Sequence, residues 1–552
     1  MPSRRRRVCV LDAETDPFVF DRVPEPFVWG LDDGREFRLF RKGEEVIEHL
    51  RGRNVVVFAH NGGKFDYILL REHLEPHSPV RMINGRLSGF RIGNAIFRDS
   101  YLILPTALKN YKKDEIDYRL FEADVREDPE VWAQIVKYLE ADCKYTRELV
   151  VKFREIYGGG LTLASSGMKF FKSLTGIEIP KTSKAFYRTF KPFYHGGRVS
   201  CFRPGIHDLK KLIAIDANSA YPTAMMDYHP WGERYSVWTG MLPDPPEIPR
   251  SFITLEAKST GVFAIETKLG MDFPDDGIKR VFHTTGWEFL AARETGALED
   301  YKIHQAITFH DWITFREYVD HFYTMKKEAV PKSAEYIFAK LFLNSLYGKF
   351  AADPERYRNY YVVPIEDVPY IERNEHARYW GYRLENKFSS KLALISKPLE
   401  EGEYRYYNVA TAASITGYVR AMLWKALKEC VRPAYCDTDG IICEGFRGEF
   451  GKELGQWKLE ESNSGLPWRR LAVAGKKLYA LHDGVTPWGK FDKDGAPIGW
   501  KLATKGVNPI EFSGPKVFRV AAGEEFKHRK AAPSMSLKSG INFIERRIRR
   551  TV

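Results

Sequence analysis

The chain has 552 residues, 44% hydrophobic and 14% aromatic, so it contains enough apolar material for several folded cores. Lysine and arginine (85) exceed aspartate and glutamate (73) by twelve, and this surplus favours a polyanionic partner such as nucleic acid. No apolar run reaches the length of a membrane span, and the basic start at residues 1–7 lacks the apolar stretch of a signal peptide. The six cysteines form no CxxC pair, which argues against a zinc site or a disulfide framework. We therefore predict a monomer without membrane contact in the cytoplasm, or in the host cytoplasm if the source is viral.

Two strand-like segments near the start of the chain carry acidic side chains. Residues 8–15 (VCVLDAET) and 54–59 (NVVVFA) have the apolar composition of buried strands. Asp12 and Glu14 are two residues apart, so they project from the same side of the first strand. Asp66 follows the second strand within Asn-Gly-Gly-Lys-Phe-Asp. The pattern predicts three carboxylates at neighbouring strand ends.

A long helix is predicted at residues 131–156, where strong helix formers repeat with helical periodicity. Tyr138 and Asp142 are four residues apart and share one face of this helix. With the three strand acids they supply four carboxylates and a phenol, enough to hold two metal ions and to orient a water molecule. This order of fragments predicts a DEDD-type 3′–5′ exonuclease on an RNase H-like fold.

A further strand, turn and helix are predicted at residues 211–227. Asp216 ends the apolar run Leu212-Ile213-Ala214-Ile215 and opens Asp-Ala-Asn-Ser-Ala-Tyr-Pro. A carboxylate at a strand end can meet acids on a neighbouring hairpin, and the N–H groups of the turn can face a triphosphate. Tyr221 would lie beneath the sugar of a nucleotide, where its ring could exclude a 2′-hydroxyl.

Residues 331–347 are predicted to form one helix, with Gly348 at the position after its end. Lys340, Asn344 and Tyr347 have i, i+4, i+7 spacing and would share one face. That face would offer a cation for phosphate, an amide for hydrogen bonding and a ring for stacking on a base pair. Upstream lysines could extend the phosphate-binding surface: Lys326, Lys327 and Lys332.

The segment Tyr-Cys-Asp-Thr-Asp-Gly at 435–440 follows a helix predicted at 408–430. Asp437 and Asp439 lie one residue apart on this turn and can bind two hard cations side by side. A pair of Mg²⁺ ions is the usual device for displacement at phosphorus, and Mn²⁺ can substitute. Downstream, Lys477 and Tyr479 alternate along a predicted strand and would share one side of it, near a primer terminus.

These motifs resemble those of the family B DNA polymerases in order and approximate spacing: DANSAYP, KLFLNSLYG, YCDTDG and KLY. Tyr194-His195-Gly196-Gly197 is similar to the YxGG motif that the family places between its exonuclease and polymerase domains. The acidic fragments at the start of the chain resemble the three exonuclease motifs of the same family. Two departures are visible, since Ala220 replaces a usual leucine and Gly440 a frequent serine.

The resemblance also implies residues that hold single-stranded DNA. Ser100 and Tyr101 sit where the family has a Ser/Thr–Leu pair, although Tyr101 departs from that leucine. Thr106 stands where an aromatic residue is expected. With Asn61 and Phe65, Ser100 and Tyr101 are candidates for gripping a frayed primer end by stacking and hydrogen bonding. Tyr194, Gly196 and Gly197 are candidate DNA contacts for the same reason.

The implied fold class is a multidomain α/β and α+β protein, in which an RNase H-like exonuclease domain precedes a right-hand polymerase domain with two insertions. The insertions resemble those of the protein-primed branch found in bacteriophages, where one contacts a terminal protein and the other gives processivity with strand displacement. The implied domains are exonuclease 1–165, linker and first palm part 166–227, first insertion 228–312, fingers 313–352, second insertion 353–395, second palm part 396–485 and thumb 486–552.

The implied function is DNA-directed DNA polymerisation with 3′–5′ proofreading. Asp216 and Asp439, with Asp437 close by, would hold two Mg²⁺ ions. Lys340 and Lys327 would bind the triphosphate, Tyr221 would select deoxyribose, and Asn344 and Tyr347 would lie against the nascent base pair. The implied partners are template and primer DNA, dNTPs and a terminal protein. The metal ligands of the second site would be Asp12, Glu14, Asp66 and Asp142.

Three alternatives stay open at this point. The first is a family B polymerase that uses a nucleic-acid primer or no primer, although the Lys-Thr-Arg-Gly signature of the primer-independent branch is absent from the sequence. The second is a catalytically silent DNA-binding scaffold, which would be expected to have lost some metal-binding acids. The third is a reverse transcriptase, whose turn usually carries adjacent aspartates, whereas Thr438 separates Asp437 from Asp439.

Overall fold

The computed structural model of the chain describes residues 6–17, 24–268, 270–492, 495–507, 512–531 and 543–551. Residues 1–5 lie outside these ranges, and they include most of the basic start that was compared with a signal peptide. Parts of the predicted thumb also lie outside them. Within them, every helix is too short or too polar to cross a bilayer.

The N-terminal half is built on a mixed ten-stranded sheet. The predicted strands are present as Arg7–Thr15 and Val55–Ala59, and they pair in parallel because the chain crosses over between them. In spatial order the strands are Arg383–Lys387, Leu392–Pro398, Arg358–Pro364, Pro79–Ile83, Arg86–Ile92, Ala95–Asp99, Val55–Ala59, Arg7–Thr15, Pro26–Asp32 and Phe37–Phe40.

The predicted long helix is present as Pro129–Tyr157 and packs against the strands Arg7–Thr15 and Pro26–Asp32. It begins where the sequence favours a helix start, because the Asp128 carboxylate accepts hydrogen bonds from two backbone N–H groups and Pro129 needs no partner for its nitrogen. Its buried face continues to Phe153 and Tyr157, which reach the second half of the molecule.

Residues 353–395 do not form a separate unit, because three of their strands extend the N-terminal sheet. Tyr360 pairs with Val80, and the His77 N–H donates to the Val362 carbonyl at 2.7 Å. Val362 and Phe388 are fully buried in the same core as the N-terminal strands. The segment 353–395, predicted as the second insertion, is therefore part of the N-terminal sheet and its core, and its predicted bounds do not separate two structural units.

A second large sheet carries the motifs of the C-terminal half. In spatial order its strands are Trp500–Thr504, Leu478–His482, Trp468–Gly475, Gly205–Ala217, Gly440–Cys443, Tyr435–Asp437 and Val199–Cys201, with Trp457–Glu460 paired to Gly205–Ala217. The predicted palm–thumb boundary at residue 486 falls inside this sheet, because Trp500–Thr504 pairs with Leu478–His482. The helix Gly514–Ala521 also packs on it.

The predicted first insertion is a sheet of its own with a covering helix. Its strands are His229–Thr239, Lys302–Ile313, Ser251–Lys258 and Lys279–Thr285, with a small hairpin of Ile265–Thr267 and Gly270–Asp272. Its helix Gly286–Glu294 packs against the helix Val409–Glu429. The presence of Val409–Glu429 confirms the helix predicted at 408–430.

The helix predicted at 331–347 is wrong in its second half. The observed helix Ala334–Leu343 ends at Asn344, and a separate short helix, Tyr347–Phe350, begins three residues later. Gly348 therefore lies within a helix and does not follow one. Arg316–Glu328 packs against Ala334–Leu343. The other α-helices of the described residues are Gly43–Arg51, Asp66–Leu69, Leu163–Thr175, Lys184–Phe190, Ala220–Met225, Val368–Arg373 and Glu375–Tyr379. Two-stranded pairs complete the described fold: Cys430–Val431 with Gly445–Phe446, and Phe526–Ala531 with Phe543–Ile548.

Candidate active sites

The C-terminal sheet brings Asp216, Asp437 and Asp439 to the wall of one cavity of about 360 Å³. Asp216 stands near the end of its strand directly opposite Gly440, and the Ala217 N–H donates to the Asp439 carbonyl at 2.8 Å. Asp437 ends the neighbouring strand of the same hairpin. The register of antiparallel pairing thus assembles carboxylates from two parts of the chain that are far apart in sequence.

The charges of this acidic cluster are unequally compensated. Burial, and then the nearby Asp216 charge, raise the pKa of Asp439 to about 6. The Lys458 ammonium lies 2.9 Å from Asp216 Oδ2, and the Lys477 ammonium lies 2.8 Å from Asp437 Oδ1. Asp216 and Asp437 are therefore each paired with a lysine, whereas Asp439 is buried beside both of their charges.

The turn between the two aspartates is fixed by the loop Tyr194–Gly197 and the residue after it. Thr438 adopts a left-handed backbone (φ 57°), and its N–H donates to the Arg198 carbonyl at 2.6 Å. A Cβ on Gly197 would lie 2.7 Å from Thr438 Oγ1, so only glycine allows this approach. The structure therefore joins two motifs that are distant from each other in the sequence.

Tyr221 and Tyr347 stack face to face beside the acidic cluster, with ring centroids 4.2 Å apart and planes inclined by 9°. Burial raises the pKa of both phenols, and the nearby Asp439 charge raises it further in each case. Tyr194 is half-buried in the same core and near both rings. Tyr221 and Tyr347, predicted at separate motifs, therefore form one stacked pair.

The predicted phosphate-binding residues meet only in part. Lys340 is exposed, and the pKa of Lys326 is lowered by burial and then by the neighbouring charges of Lys340 and Lys458. Lys327 instead lies over the Tyr323 ring at 4.7 Å and 3.5 Å from Glu453. The structure thus favours Lys326 over Lys327 as the neighbour of Lys340.

Asn344 and Lys477 are also placed differently from the sequence prediction. Because the helix ends at Leu343, Asn344 does not continue the face of Lys340; its Nδ2 donates to the Lys340 carbonyl at 3.0 Å. Lys477 precedes the strand Leu478–His482 and has a left-handed backbone (φ 57°). It still lines the same cavity as Tyr479, so the turn and not strand alternation brings the two together.

The N-terminal sheet and the long helix assemble the second acidic cluster as predicted. Asp12 and Glu14 project from the strand Arg7–Thr15, and buried Asp142 faces them from the helix. Asp66 is fully buried, and its Oδ1 accepts a hydrogen bond from the Ala13 N–H at 3.0 Å. The four carboxylates come from one strand, from the start of the short helix Asp66–Leu69 and from the long helix.

Burial, together with repulsion between carboxylates, raises the pKa of all four acids. Burial, and then the Asp142 charge, raise the pKa of Asp12 to about 7. Burial also raises the pKa of Glu14 and of Asp66, with Asp12 as the next cause in each case. Such a cluster is unfavourable when fully ionised, so it would gain free energy from a bound cation.

Lys113 is the cation nearest this cluster, and the sequence analysis did not identify it. Its ammonium lies 3.3 Å from Asp142 Oδ2 and 5.4 Å from the centre of the Tyr138 ring. Burial alone would lower the pKa of Lys113, but the Asp142 charge raises it above its usual value. The Tyr138 hydroxyl lies 3.5 Å from the Tyr118 hydroxyl. A lone lysine in a polar segment has no sequence signal beyond its charge.

The cavity beside these acids has a volume of about 390 Å³. Its lining includes Asn61 and Tyr101, two of the residues predicted to contact DNA, and also His60 and Arg86, which the sequence did not single out. Arg86 lies 4.4 Å over the Tyr101 ring and donates to Asn61 Oδ1 at 2.5 Å.

Ser100 is placed differently from the prediction. Its side chain is fully buried, and its hydroxyl contacts His60 Nδ1 at 3.0 Å and the Ala59 carbonyl. Ser100 therefore supports His60 and does not line the cavity. Phe65 lies at the start of the helix Asp66–Leu69 and is also not part of the lining.

The donor sets of both clusters fit divalent cations. The buried Asp142 Oδ1 has no hydrogen-bond partner, and Asp216 and Asp439 present carboxylate oxygens to one cavity. Oxygen-only donors of this kind suit Mg²⁺. In the conformation described, no three acidic, histidine or cysteine side chains among the described residues converge closely enough to enclose an ion. Lysines stand beside Asp142, Asp216 and Asp437 instead.

Comparison with known proteins gives consistent matches along the chain. The family model for "DNA polymerase type B, organellar and viral" matches residues 116–429. A DNA-directed DNA polymerase of Enterobacteria phage PRD1 is 34% identical over the full length of both chains. A probable DNA polymerase of Ascobolus immersus is 25% identical over 79% of this chain and 36% of its own length.

Solved structures show the same fold. Phi29 DNA polymerase complexed with primer-template DNA superposes with a TM-score of 0.74 and 17% identity, over 99% of this chain and all of that one. An orthorhombic crystal form of Phi29 DNA polymerase gives a TM-score of 0.72 and 18% identity over the same shares. These matches confirm the predicted fold class, a multidomain protein of mixed α/β and α+β structure.

Proposed function

The chain belongs to the family B DNA polymerases of organellar and viral type, and we propose that it extends a primer by two-metal nucleotidyl transfer, proofreads with a separate 3′–5′ exonuclease site, and is protein-primed and strand-displacing. The observation that carries the proposal is the convergence of Asp216, Asp437 and Asp439 on one cavity in a chain 34% identical to a DNA-directed DNA polymerase.

In the polymerisation step the primer 3′-oxygen attacks the α-phosphorus of the dNTP, and pyrophosphate leaves. Two Mg²⁺ ions, for which Mn²⁺ can substitute, would neutralise the phosphate charge when bound by Asp216 and Asp439 with Asp437 close by. Lys340 and Lys326 would neutralise the triphosphate. Lys477 and Tyr479 would hold the primer end at the same cavity. These groups need only position and neutralise the reactants.

The stacked pair Tyr221 and Tyr347 would select the nucleotide. The centroids of the two rings are 4.2 Å apart, and a base with its sugar could enter between the rings if they separated. Separation of the rings would leave Tyr347 against the nascent base pair and Tyr221 against the sugar, where a 2′-hydroxyl would collide with it. Asn344, exposed just after the helix end, would contact the same base pair.

In the proofreading step a water molecule attacks the phosphorus of the terminal phosphodiester and gives up a proton. The bond from that phosphorus to the 3′-oxygen of the preceding nucleotide breaks, this oxygen takes up a proton, and the terminal nucleotide is released as a 5′-monophosphate. Asp12, Glu14, Asp66 and Asp142 would hold the cations, and Tyr138 would orient the water. Lys113 would neutralise charge at the same phosphate, since it already lies against Asp142. Asn61, Tyr101 and Arg86 would hold the frayed primer end by hydrogen bonding and stacking.

Protein priming is supported by the two insertions. The first forms its own sheet beside the palm, and the second extends the exonuclease sheet. A terminal protein would contact the first, and the second would guide the template. A nucleic-acid-primed family B polymerase is the second candidate, since its catalytic residues would be the same.

The test is extension of a 5′-labelled primer on a longer template, with Mg²⁺, with and without dNTPs and with a downstream blocking strand. We expect elongation through the block with dNTPs and shortening without them. Asp439→Asn should abolish elongation and spare shortening, whereas Asp12→Ala with Asp66→Ala should do the reverse.

The contradicting results are specific to each part of the proposal. Elongation by Asp439→Asn would refute the polymerisation site, and persistent shortening by the double variant would place the nuclease elsewhere. Arrest at the blocking strand would remove strand displacement. Failure to attach a nucleotide to a terminal protein encoded beside this gene, with primer extension intact, would favour the nucleic-acid-primed candidate.

A further inference from the structure

Arg420 and Glu288 form a buried ion pair between the palm and the first insertion. Both side chains are at most 3% exposed. Arg420 Nε lies 2.7 Å from Glu288 Oε1, and Nη2 lies 2.9 Å from Oε2, so the contact is bidentate. Arg420 is on the helix Val409–Glu429, and Glu288 is on the helix Gly286–Glu294. The pair therefore connects the central palm helix to an element that the chain inserts much earlier in the sequence.

The third nitrogen of the same guanidinium holds the loop beside the catalytic turn. Arg420 Nη1 donates to the His195 carbonyl at 2.5 Å and to the Gly196 carbonyl at 3.0 Å. Because the guanidinium is planar, the carboxylate fixes the direction in which Nη1 points. A lysine has a single charged nitrogen and could not reach the carboxylate and both carbonyls in this geometry.

The loop passes this restraint to the aspartates. Gly197 packs against the Thr438 side chain, and the Arg198 carbonyl accepts the Thr438 N–H at 2.6 Å. Thr438 has a left-handed backbone, which a threonine adopts only when its surroundings impose it. The contacts that impose it here come from the loop that Arg420 holds.

Glu288 is itself fixed within the insertion. Its carboxylate accepts hydrogen bonds from the backbone N–H and the hydroxyl of Thr285, which caps the helix. The Thr285 side chain lies directly against the palm helix at Gly417, where a Cβ would approach Thr285 Oγ1 to 2.3 Å. The insertion and the palm are thus in close contact one turn before Arg420.

We propose that Arg420 is a positioning residue for the polymerisation site and that Glu288 orients it, so that the first insertion sets the geometry of the Asp437–Asp439 turn. The path runs from Glu288 to Arg420, to the His195 and Gly196 carbonyls, and through Gly197 and Arg198 to Thr438. This inference rests on the proposed polymerase function and adds to it a structural role of the insertion in cation binding.

The test uses Glu288→Gln and Arg420→Lys in the full-length protein. Glu288→Gln keeps the shape of the helix start and removes the charge, whereas Arg420→Lys keeps the charge and loses the planar contacts. The matched control is Glu294→Gln, which removes the exposed ion pair of Glu294 with Lys425, 2.5 Å long, between the same two helices. Single-nucleotide incorporation is measured against Mg²⁺ concentration, with degradation of single-stranded DNA measured on the same samples.

We expect both variants to incorporate a nucleotide about tenfold to a hundredfold more slowly, because small misplacements of reacting groups cost rates of this order. They should also need several-fold more Mg²⁺ for half-maximal incorporation. Degradation of single-stranded DNA should stay near the unsubstituted level, since that site lies in the other sheet, and Glu294→Gln should match the unsubstituted protein in both assays.

Three results would overturn the inference: unchanged incorporation in both variants, proportional loss of incorporation and degradation, or slow incorporation with an unchanged Mg²⁺ dependence. Proportional loss would show that the pair only stabilises the fold. If the unsubstituted protein does not incorporate nucleotides, the proposed function itself fails, and that result is separate from any behaviour of the variants.

Discussion

At the scale of single residues, both acidic clusters are assembled at an electrostatic cost. Asp439 has a pKa of about 6 and Asp12 a pKa of about 7, because burial and neighbouring carboxylates disfavour their charged forms. Lysines offset part of this cost, Lys458 beside Asp216 and Lys113 beside Asp142. The clusters therefore resist full ionisation, and a bound cation would favour their ionised forms.

This arrangement predicts how stability depends on pH. The folded pKa of Asp12 is about 7, against an ordinary value of 3.8, so between these values the native state binds more protons than the unfolded state. The free energy of unfolding should then fall as pH rises through this window. In a chelating buffer we expect the thermal midpoint of the N-terminal domain to drop by a few degrees between about pH 5 and pH 8.

Divalent cation and substitution provide the controls for that measurement. Mg²⁺ at about pH 8 should restore the midpoint, and Asp12→Asn should weaken both the pH dependence and the effect of Mg²⁺. Asp208→Asn, at a 68% exposed carboxylate in the other sheet, should leave both unchanged. A midpoint that rises with pH in the chelating buffer would contradict the raised pKa values.

At the scale of elements, the second insertion is joined to the N-terminal sheet by backbone pairing and by a shared core. The Val362 N–H donates to the Ser78 carbonyl at 3.1 Å, and Arg71 Nε donates to the Phe388 carbonyl at 2.6 Å. Val362 and Phe388 are fully buried in that core. The insertion is thus held in place by packing, as a wall against a separated DNA strand would need to be.

Phe388→Ala should loosen this joint, because removing a buried phenylalanine side chain costs about 3–5 kcal/mol. We expect the variant to extend a primer on an open template but to stop at a downstream strand. Gel analysis of products on open and blocked templates would measure this, with Tyr370→Ala, at an exposed tyrosine of the same insertion, as the control. Equal passage of both variants through the block would show that the joint has no part in strand displacement.

At the scale of the whole molecule, the two acidic sites lie on different sheets within a chain of net charge +12. The long helix Pro129–Tyr157 carries Asp142 and Tyr138 at one cluster, and its final turns pack on the helix Ala334–Leu343, where Phe153 meets Phe338. One element therefore connects the N-terminal cluster to the lysine-bearing helix of the other site. Under the proposed function, a primer end could therefore move between the two sites without leaving one positively charged protein.

The positive surplus predicts a strong salt dependence of binding to primer-template DNA. Each phosphate neutralised by the protein releases counterions, so affinity should fall at least about tenfold between about 50 and 200 mM salt. Fluorescence anisotropy in a chelating buffer would measure this without degradation of the DNA. An affinity independent of salt would show that the basic surplus does not face the nucleic acid.

Local patterns in the sequence were sufficient for much of the fold and of the acidic sites. Helix periodicity and strong helix formers predicted the helix Pro129–Tyr157 to within two residues. Apolar runs ending in polar residues predicted the strands that carry Asp12 and Asp216. The same logic failed at Asn344, because the helix ends there in the structure although its apolar pattern continues in sequence.

Neighbours within a few positions are enough to place particular residue types at strand ends and helix faces, so these placements could be predicted from the sequence. Which of these residues meet depends on tertiary packing. Lys113, Lys458 and Arg420 carry no local signal, and each acquires its role from a partner that is distant in the sequence. The pairing of Tyr360 with Val80 is of the same kind. Such contacts depend on how sheets and helices pack, and the free energy of packing is a property of the whole chain.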